Sequence, residues 1–143
     1  MLRRRIAHNM IYLSLGSNLG DKEGNILRAY ALIEERIGHI VRKSSLHRTE
    51  PWGFESSNDF LNSVIAIETS LTPRELLTET QRIEREIGRT AKTSADGGYQ
   101  DRLIDIDILI YNDLIIDEPD LQIPHPLMNQ RDFVLNPLKE VYD

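Results

Sequence analysis

The chain has 143 residues, 40 % hydrophobic and 28 % charged, which fits one globular domain around one core and excludes a disordered or collagen-like chain. It contains no Cys, so a disulfide framework, a thiolate nucleophile and a Cys-ligated metal are excluded. The net charge of −6 argues against a general nucleic-acid binder, and no apolar run approaches the ~18 residues of a membrane span.

In chain order, residues 1–9 are basic through Arg3, Arg4 and Arg5 but lack the apolar stretch of a signal peptide. They fit either a misassigned start or a disordered extension, with a single domain expected over 10–143 and a cytoplasmic location. Met10 to Gly16 reads as a strand ended by the turn Gly16-Ser17-Asn18-Leu19-Gly20. That turn matches neither the Walker nor the dinucleotide phosphate loop. A helix is expected over Asp21 to Ile37, with Ile26, Tyr30, Ile33 and Ile37 on one face and Gly38 to end it. Ile40 to Thr49 reads as a weaker strand, Glu50 to Asp59 as a loop, and Phe60 to Thr69 as a strand rich in β-branched residues.

The second helix is the best marked. Thr72 is its N-cap, Pro73 its first residue, and Glu75 completes a capping box. Leu76, Thr80, Ile83 and Ile87 form its inward stripe, and Gly88 stops it. Arg89 to Asp101 is a long polar loop of the kind used as lids, expected to be disordered without ligands. Leu103 to Tyr111 is the last major strand. Asn112-Asp113 makes a turn, Leu114 to Ile116 is a candidate hairpin partner, and a helical tail carries Phe133, Leu135 and Leu138. The order β-α-β-β-α-β predicts an α+β, ferredoxin-like sandwich. Its antiparallel sheet carries helices on one face, and a helical C-terminal tail follows.

The strand period places Asp105 and Asp107 on one face, roughly 6.5–7 Å apart, and turns Ile104, Ile106, Ile108 and Ile110 the other way, under the helices. Two neighbouring carboxylates repel unless a cation intervenes, and Mg²⁺ favours one or two carboxylates plus phosphate oxygens. A solvated strand face would show the same pattern. His125 is set between Pro124 and Pro126, which fixes its backbone, although a surface His in a loop is as ordinary. Gln81 and Glu84 lie one turn apart at the edge of the apolar stripe, placed to hydrogen-bond a ligand or to form a solvated flank. Phe60 and Asn62 share a strand face, and Phe133 is a second isolated ring. Together they suit a flat heterocycle, or the Phe side chains are simply core.

These segments together resemble the 6-hydroxymethyl-7,8-dihydropterin pyrophosphokinase family, from about Ile11 to Leu138. The resemblance rests on Leu15-Gly16-Ser17-Asn18-Leu19-Gly20, Arg48-Thr49-Glu50-Pro51-Trp52-Gly53 and Phe60-Leu61-Asn62. It continues through Gln81-Arg82-Ile83-Glu84, Gly88-Arg89 and Asp101-Arg102. Asp105-Ile106-Asp107-Ile108-Leu109, Pro124-His125-Pro126 and Arg131-Asp132-Phe133 complete it. The resemblance implies transfer of the β,γ-diphosphate of ATP to the pterin hydroxymethyl oxygen in folate biosynthesis, with AMP leaving. It implies two Mg²⁺ ions on Asp105 and Asp107. ATP contacts are expected from Gln81, Glu84, Arg89, Lys92, Arg102, Ile108, His125 and Arg131. Pterin contacts are expected from Thr49, Pro51, Trp52, Phe60, Asn62 and Phe133.

Arg89 and Arg102, with Asp105 and Asp107, are the expected catalytic groups, because guanidinium forks neutralise phosphate charge bidentately. A monomer that binds neither nucleic acid nor membrane is expected. Three departures stand out: Ala91 replaces a common Arg, Tyr99-Gln100-Asp101 replaces an aromatic-Gly-Pro segment, and the chain stops at Asp143, short of a small C-terminal element. The rivals are a metal-dependent nucleotidyltransferase using the same Asp-x-Asp, and an RNA-recognition or ligand-sensing module on the same fold. The acidic balance and the lack of clustered aromatics on a central strand count against RNA.

Overall fold

The first strand, β1 (Ile11–Ser17), is buried along its whole length, as the middle of a sheet covered on both faces must be. The computed structural model describes residues 10–49, 59–88 and 103–142. The expected N-terminal extension, the lid over Arg89 to Asp101 with Ala91 and Tyr99, and the site residues Pro51, Trp52, Arg89, Lys92 and Arg102 lie outside them. After β1 come α1 (Lys22–Arg36), β2 (Gly38–Lys43), β3 (His47–Thr49), β4 (Phe60–Thr69) and α2 (Pro73–Gly88). Then follow β5 (Asp105–Tyr111), β6 (Ile116–Glu118), β7 (Leu121–Ile123), a 3₁₀ turn (Met128–Gln130) and α3 (Asp132–Val141). The main sheet runs β2-β4-β1-β5, with β3 also on β4 and every pair antiparallel. This is the expected ferredoxin-like order.

The helices begin and end as local chemistry directs. Asp21 caps α1 by accepting the Gly24 N–H at 3.1 Å. In α2 the capping box is complete: Thr72 N donates to Glu75 Oε1 at 2.9 Å and Glu75 N to Thr72 Oγ1 at 3.2 Å. Gly38 follows α1 for a reason other than a left-handed cap. A Cβ there would lie 1.9 Å from the Glu68 carbonyl oxygen, so only glycine lets β2 close onto β4.

Three expectations need correction. The single strand Ile40 to Thr49 is two. At Ser44 the N–H still donates to Val64 O at 2.9 Å, but Val64 N donates to the Ser44 hydroxyl at 2.9 Å, so a side chain replaces the backbone acceptor and the ladder breaks. Leu114 to Ile116 is not a partner of β5. Asn112, at φ 52°, turns the chain away, and β6 pairs with β7 in a separate two-stranded sheet that Arg74 of α2 grips through Asp120 and Glu118. Ile110 does not face the two helices. The β1–β5 register shifts between Tyr12 and Leu13, so Leu109 is a bulge residue. Ile108 stays on the helix side, while Leu109 and Ile110 both join the opposite cluster.

The two sheet faces have separate cores. On one, Leu13, Leu15, Ile65, Ile67, Ile106 and Ile108 meet Ile26 and Ile33 of α1 and Leu76 and Ile83 of α2. Each such burial is worth about 1.5–3 kcal/mol relative to exposure. On the other, Tyr12, Val64, Ala66 and Leu109 meet Val134, Leu138 and Val141 of α3, so the tail is a structural helix that covers the second face.

Candidate active site

The α3 face becomes polar toward the C-terminal end of β1. Pairing sets Gly16 opposite both Asn62 of β4 and Asp105 of β5, and Ser14 opposite both Val64 and Asp107. Residues paired across strands share a face, so Asn62, Gly16 and Asp105 form one row and Asp107 lies one step along. The outer members stand ~10 Å apart by strand spacing. Gly16 is the floor of the row: a Cβ there would come 3.0 Å from Asn62 Oδ1 and 3.6 Å from the Phe60 ring. Asn62 is buried, and its Nδ2 donates to Thr49 Oγ1 at 2.8 Å. The strand-to-helix turn beyond is tied by Asn25, whose Nδ2 donates to Leu19 O at 3.0 Å.

Acidic charge collects at β5. Asp105 and Asp107 are both half-buried on the α3 face, as the strand period requires. Glu84 reaches them from α2 around the edge of the sheet and accepts the Ile106 N–H at 2.7 Å. Burial raises its pKa to about 8 against the opposing Ile106 hydrogen bond, with the charges of Asp105 and Asp107 adding to the rise. Burial therefore favours the protonated form of Glu84 in the ligand-free protein.

His125 lies over the same edge, its N–H donating to Leu109 O at 2.9 Å. Its Nδ1 accepts the Leu127 N–H at 3.2 Å, which leaves the ring proton on Nε2. Burial lowers its pKa, the Arg131 charge lowers it further, and Asp105 opposes both, so the ring is neutral at pH 7. Arg131 is buried just before α3, its guanidinium 5.6 Å from the centre of the Phe133 ring. Phe133 packs against the α3-face cluster.

Of the expected residues, Asp105, Asp107, Glu84, His125 and Arg131 thus gather at the β5 edge, and Thr49, Phe60 and Asn62 at β3–β4. Gln81 is exposed on α2, one turn before Glu84. The Ile108 side chain is buried in the helix-side core, so only its backbone can meet a ligand. Sequence reasoning missed Gly16 and Ser14 as site residues. Their signal, the same parity along β1, becomes informative only once the register is known.

An α+β sandwich with a carboxylate pair, a neutral imidazole and a buried amide at one end of its sheet is a small-molecule transferase scaffold. Residues 12–143 match the 7,8-dihydro-6-hydroxymethylpterin-pyrophosphokinase (HPPK) family. A 2-amino-4-hydroxy-6-hydroxymethyldihydropteridine pyrophosphokinase of Porphyromonas gingivalis is 48 % identical over 133 residues, covering 92 % of this chain and 90 % of that protein. One from Bacillus subtilis is 43 % identical over 135 residues, covering 94 % and 78 %. The wild-type HPPK-DHPS of Plasmodium falciparum superposes with a TM-score of 0.72 at 18 % identity, over 94 % of this chain and 41 % of that one, which establishes likeness of fold. The chain belongs to the HPPK family. It transfers diphosphate from ATP to 6-hydroxymethyl-7,8-dihydropterin, giving the pterin diphosphate and AMP, in folate biosynthesis.

Proposed function

We propose that this transfer uses Mg²⁺ on Asp105 and Asp107, two ions with ATP bound. The pterin is read by Phe60, Asn62 and Phe133, and ATP lies along the β5 edge. One observation supports this above the others: the buried Asn62 amide and the Asp105 carboxylate occupy one register row across Gly16, with Asp107 one step along the same face. The ~10 Å between its ends suits a substrate read as a heterocycle at one end and phosphorylated at the other.

The donor set fits magnesium. It is all oxygen, and Glu84 is crowded by the same two carboxylates that a divalent cation would relieve. Among the described residues no group of three or more His, Asp or Glu is placed to chelate an ion. Water and phosphate oxygens would complete the shell, as is usual for Mg²⁺. When bound, the metal supplies charge neutralisation on the phosphates and acidifies the attacking hydroxyl.

The protein's own groups orient and exclude. Asn62, fixed by Thr49, presents an amide edge to the pterin, while Phe60 and Phe133 supply rings for stacking. We assign Pro51 and Trp52 to the same pocket from the family resemblance. His125 Nε2–H and Arg131 offer donors to phosphate oxygens, and Gln81 and Glu84 flank the nucleotide from α2. The backbone groups of Ile108 point outward in step with the Ile106 N–H, available to a base lying on the edge. Arg89, Lys92 and Arg102 neutralise the transferred phosphates in this scheme. We take residues 10–143 as one domain acting as a monomer in the cytoplasm, where ATP is available. A dimer mass by light scattering would overturn the monomer.

The decisive experiment is a product assay. AMP should form from ATP only with 6-hydroxymethyl-7,8-dihydropterin and Mg²⁺ both present, and EDTA should stop it. ADP as product, or turnover without the pterin, would overturn the proposal.

A further inference from the structure

The C-terminal end of α3 is tied to the sheet by polar contacts that no step of the transfer uses. Glu140 accepts from Ser45 twice, from its N–H at 2.8 Å and from its hydroxyl at 2.9 Å. His47 Nε2 also contacts the Glu140 carboxylate. Beside it, Arg42 Nη1 donates to Val141 O at 3.1 Å and closes the helix end. Ser45 and His47 lead directly into Thr49, which holds Asn62. Glu140 lies seven residues after Phe133 on α3, almost two full turns, so the two leave the helix on nearly the same side. One clamp therefore ties the strand that orients the pterin-reading amide to the helix that carries the facing ring.

The helix does not fix that ring alone. Pro137 lies inside α3, four residues after Phe133, and supplies no N–H to the Phe133 carbonyl. The first turn of α3 thus has one backbone hydrogen bond fewer to the rest of the helix, and the docking of the helix helps to set its pose.

We propose that Glu140 is a positioning residue for the pterin pocket, setting the gap between Phe133 on α3 and Thr49–Asn62 on the sheet through its grip on Ser45 and His47. The inference rests on assigning Phe60, Asn62 and Phe133 to the pterin. ATP is handled mainly at β5, on the far side of β1, with Arg131 its one proposed contact at the start of α3, so the pterin should respond more strongly than ATP.

The experiment is steady-state kinetics with each substrate varied at saturation of the other. Glu140→Ala should raise the pterin KM about 5–10-fold and leave kcat and the ATP KM within about twofold. Glu140→Gln, which keeps an acceptor for the Ser45 N–H, should recover most of the loss. Arg36→Ala breaks the Arg36–Glu86 pair between α1 and α2 and serves as a stability control, with a lowered Tm but an unchanged pterin KM. An unchanged pterin KM in Glu140→Ala, or equal rises for both substrates, would overturn the inference. Asn62→Ala separates the two ideas. If it too leaves the pterin KM unchanged, the pterin assignment fails. If it alone raises KM, only the role of Glu140 fails.

Discussion

The two faces of the sheet are made from alternate residues of the same strands, yet they do different work. Leu13, Leu15, Ile106 and Ile108 turn toward α1 and α2 and join the apolar cluster of the core. Their neighbours Ser14, Gly16, Asp105 and Asp107 turn toward α3 and line the polar end of that face. Stability is concentrated on the first face and chemistry on one end of the second. The separation lets the site keep mutually repelling carboxylates, because their strand is held from behind by burial.

The sharpest way to break this comparison is to mutate adjacent positions on opposite faces. Asp107→Ala should reduce kcat about 10²–10³-fold, the scale of losing one preorganised electrostatic element, with little change in Tm because the side chain is half-buried and outside the core. Leu15→Ala should cost about 2–5 kcal/mol of stability while kcat per folded molecule stays within a few-fold. Kinetics and denaturation on the same two proteins decide the matter. Substantial turnover in Asp107→Ala would remove the metal assignment, and a stable but inactive Leu15→Ala would blur the division between faces.

Most of this division was legible from periodicity. The helix stripes Ile26–Tyr30–Ile33 and Leu76–Thr80–Ile83–Ile87 are buried as expected, and the Asp pair shares a face. Illegible features were those set by contacts distant in sequence. The Leu109 bulge depends on how β5 pairs with β1, so strict alternation put Ile110 on the wrong face. The break at Ser44 depends on a hydroxyl finding Val64 N on another strand. Glu84 reads as a helix flank, and its elevated pKa appears only when folding brings it to Asp105 and Asp107.

A smaller effect tests the floor of the polar row. Gly16→Ala keeps an ordinary strand backbone but places a Cβ 3.0 Å from Asn62 Oδ1. Asn62 must then yield by a few tenths of an ångström. The expected result is about a tenfold rise in the pterin KM, equivalent to ~1.4 kcal/mol of lost binding, with kcat and Tm nearly unchanged. A pterin KM equal to that of wild type would mean that the Asn62 amide is not read at that precision.

The last expected effect is a slope in stability with pH. Glu84 has a folded pKa of about 8 against an ordinary value of 4.5. Between those limits the folded ligand-free protein keeps a proton that the unfolded chain has lost. Its contribution is fully present below about 4.5 and is lost as pH rises toward about 8. One such group can contribute a decline of at most about 1.4 kcal/mol per pH unit. Glu84→Gln keeps an oxygen for the Ile106 N–H and cannot ionise, so its stability relative to wild type should rise steadily across that window. Urea denaturation without Mg²⁺ or ATP, at several pH values from 5 to 8, measures the difference. Parallel curves for the two proteins would mean that the carboxylates at β5 are less crowded than their placement implies, and would weaken the case for a cation between them.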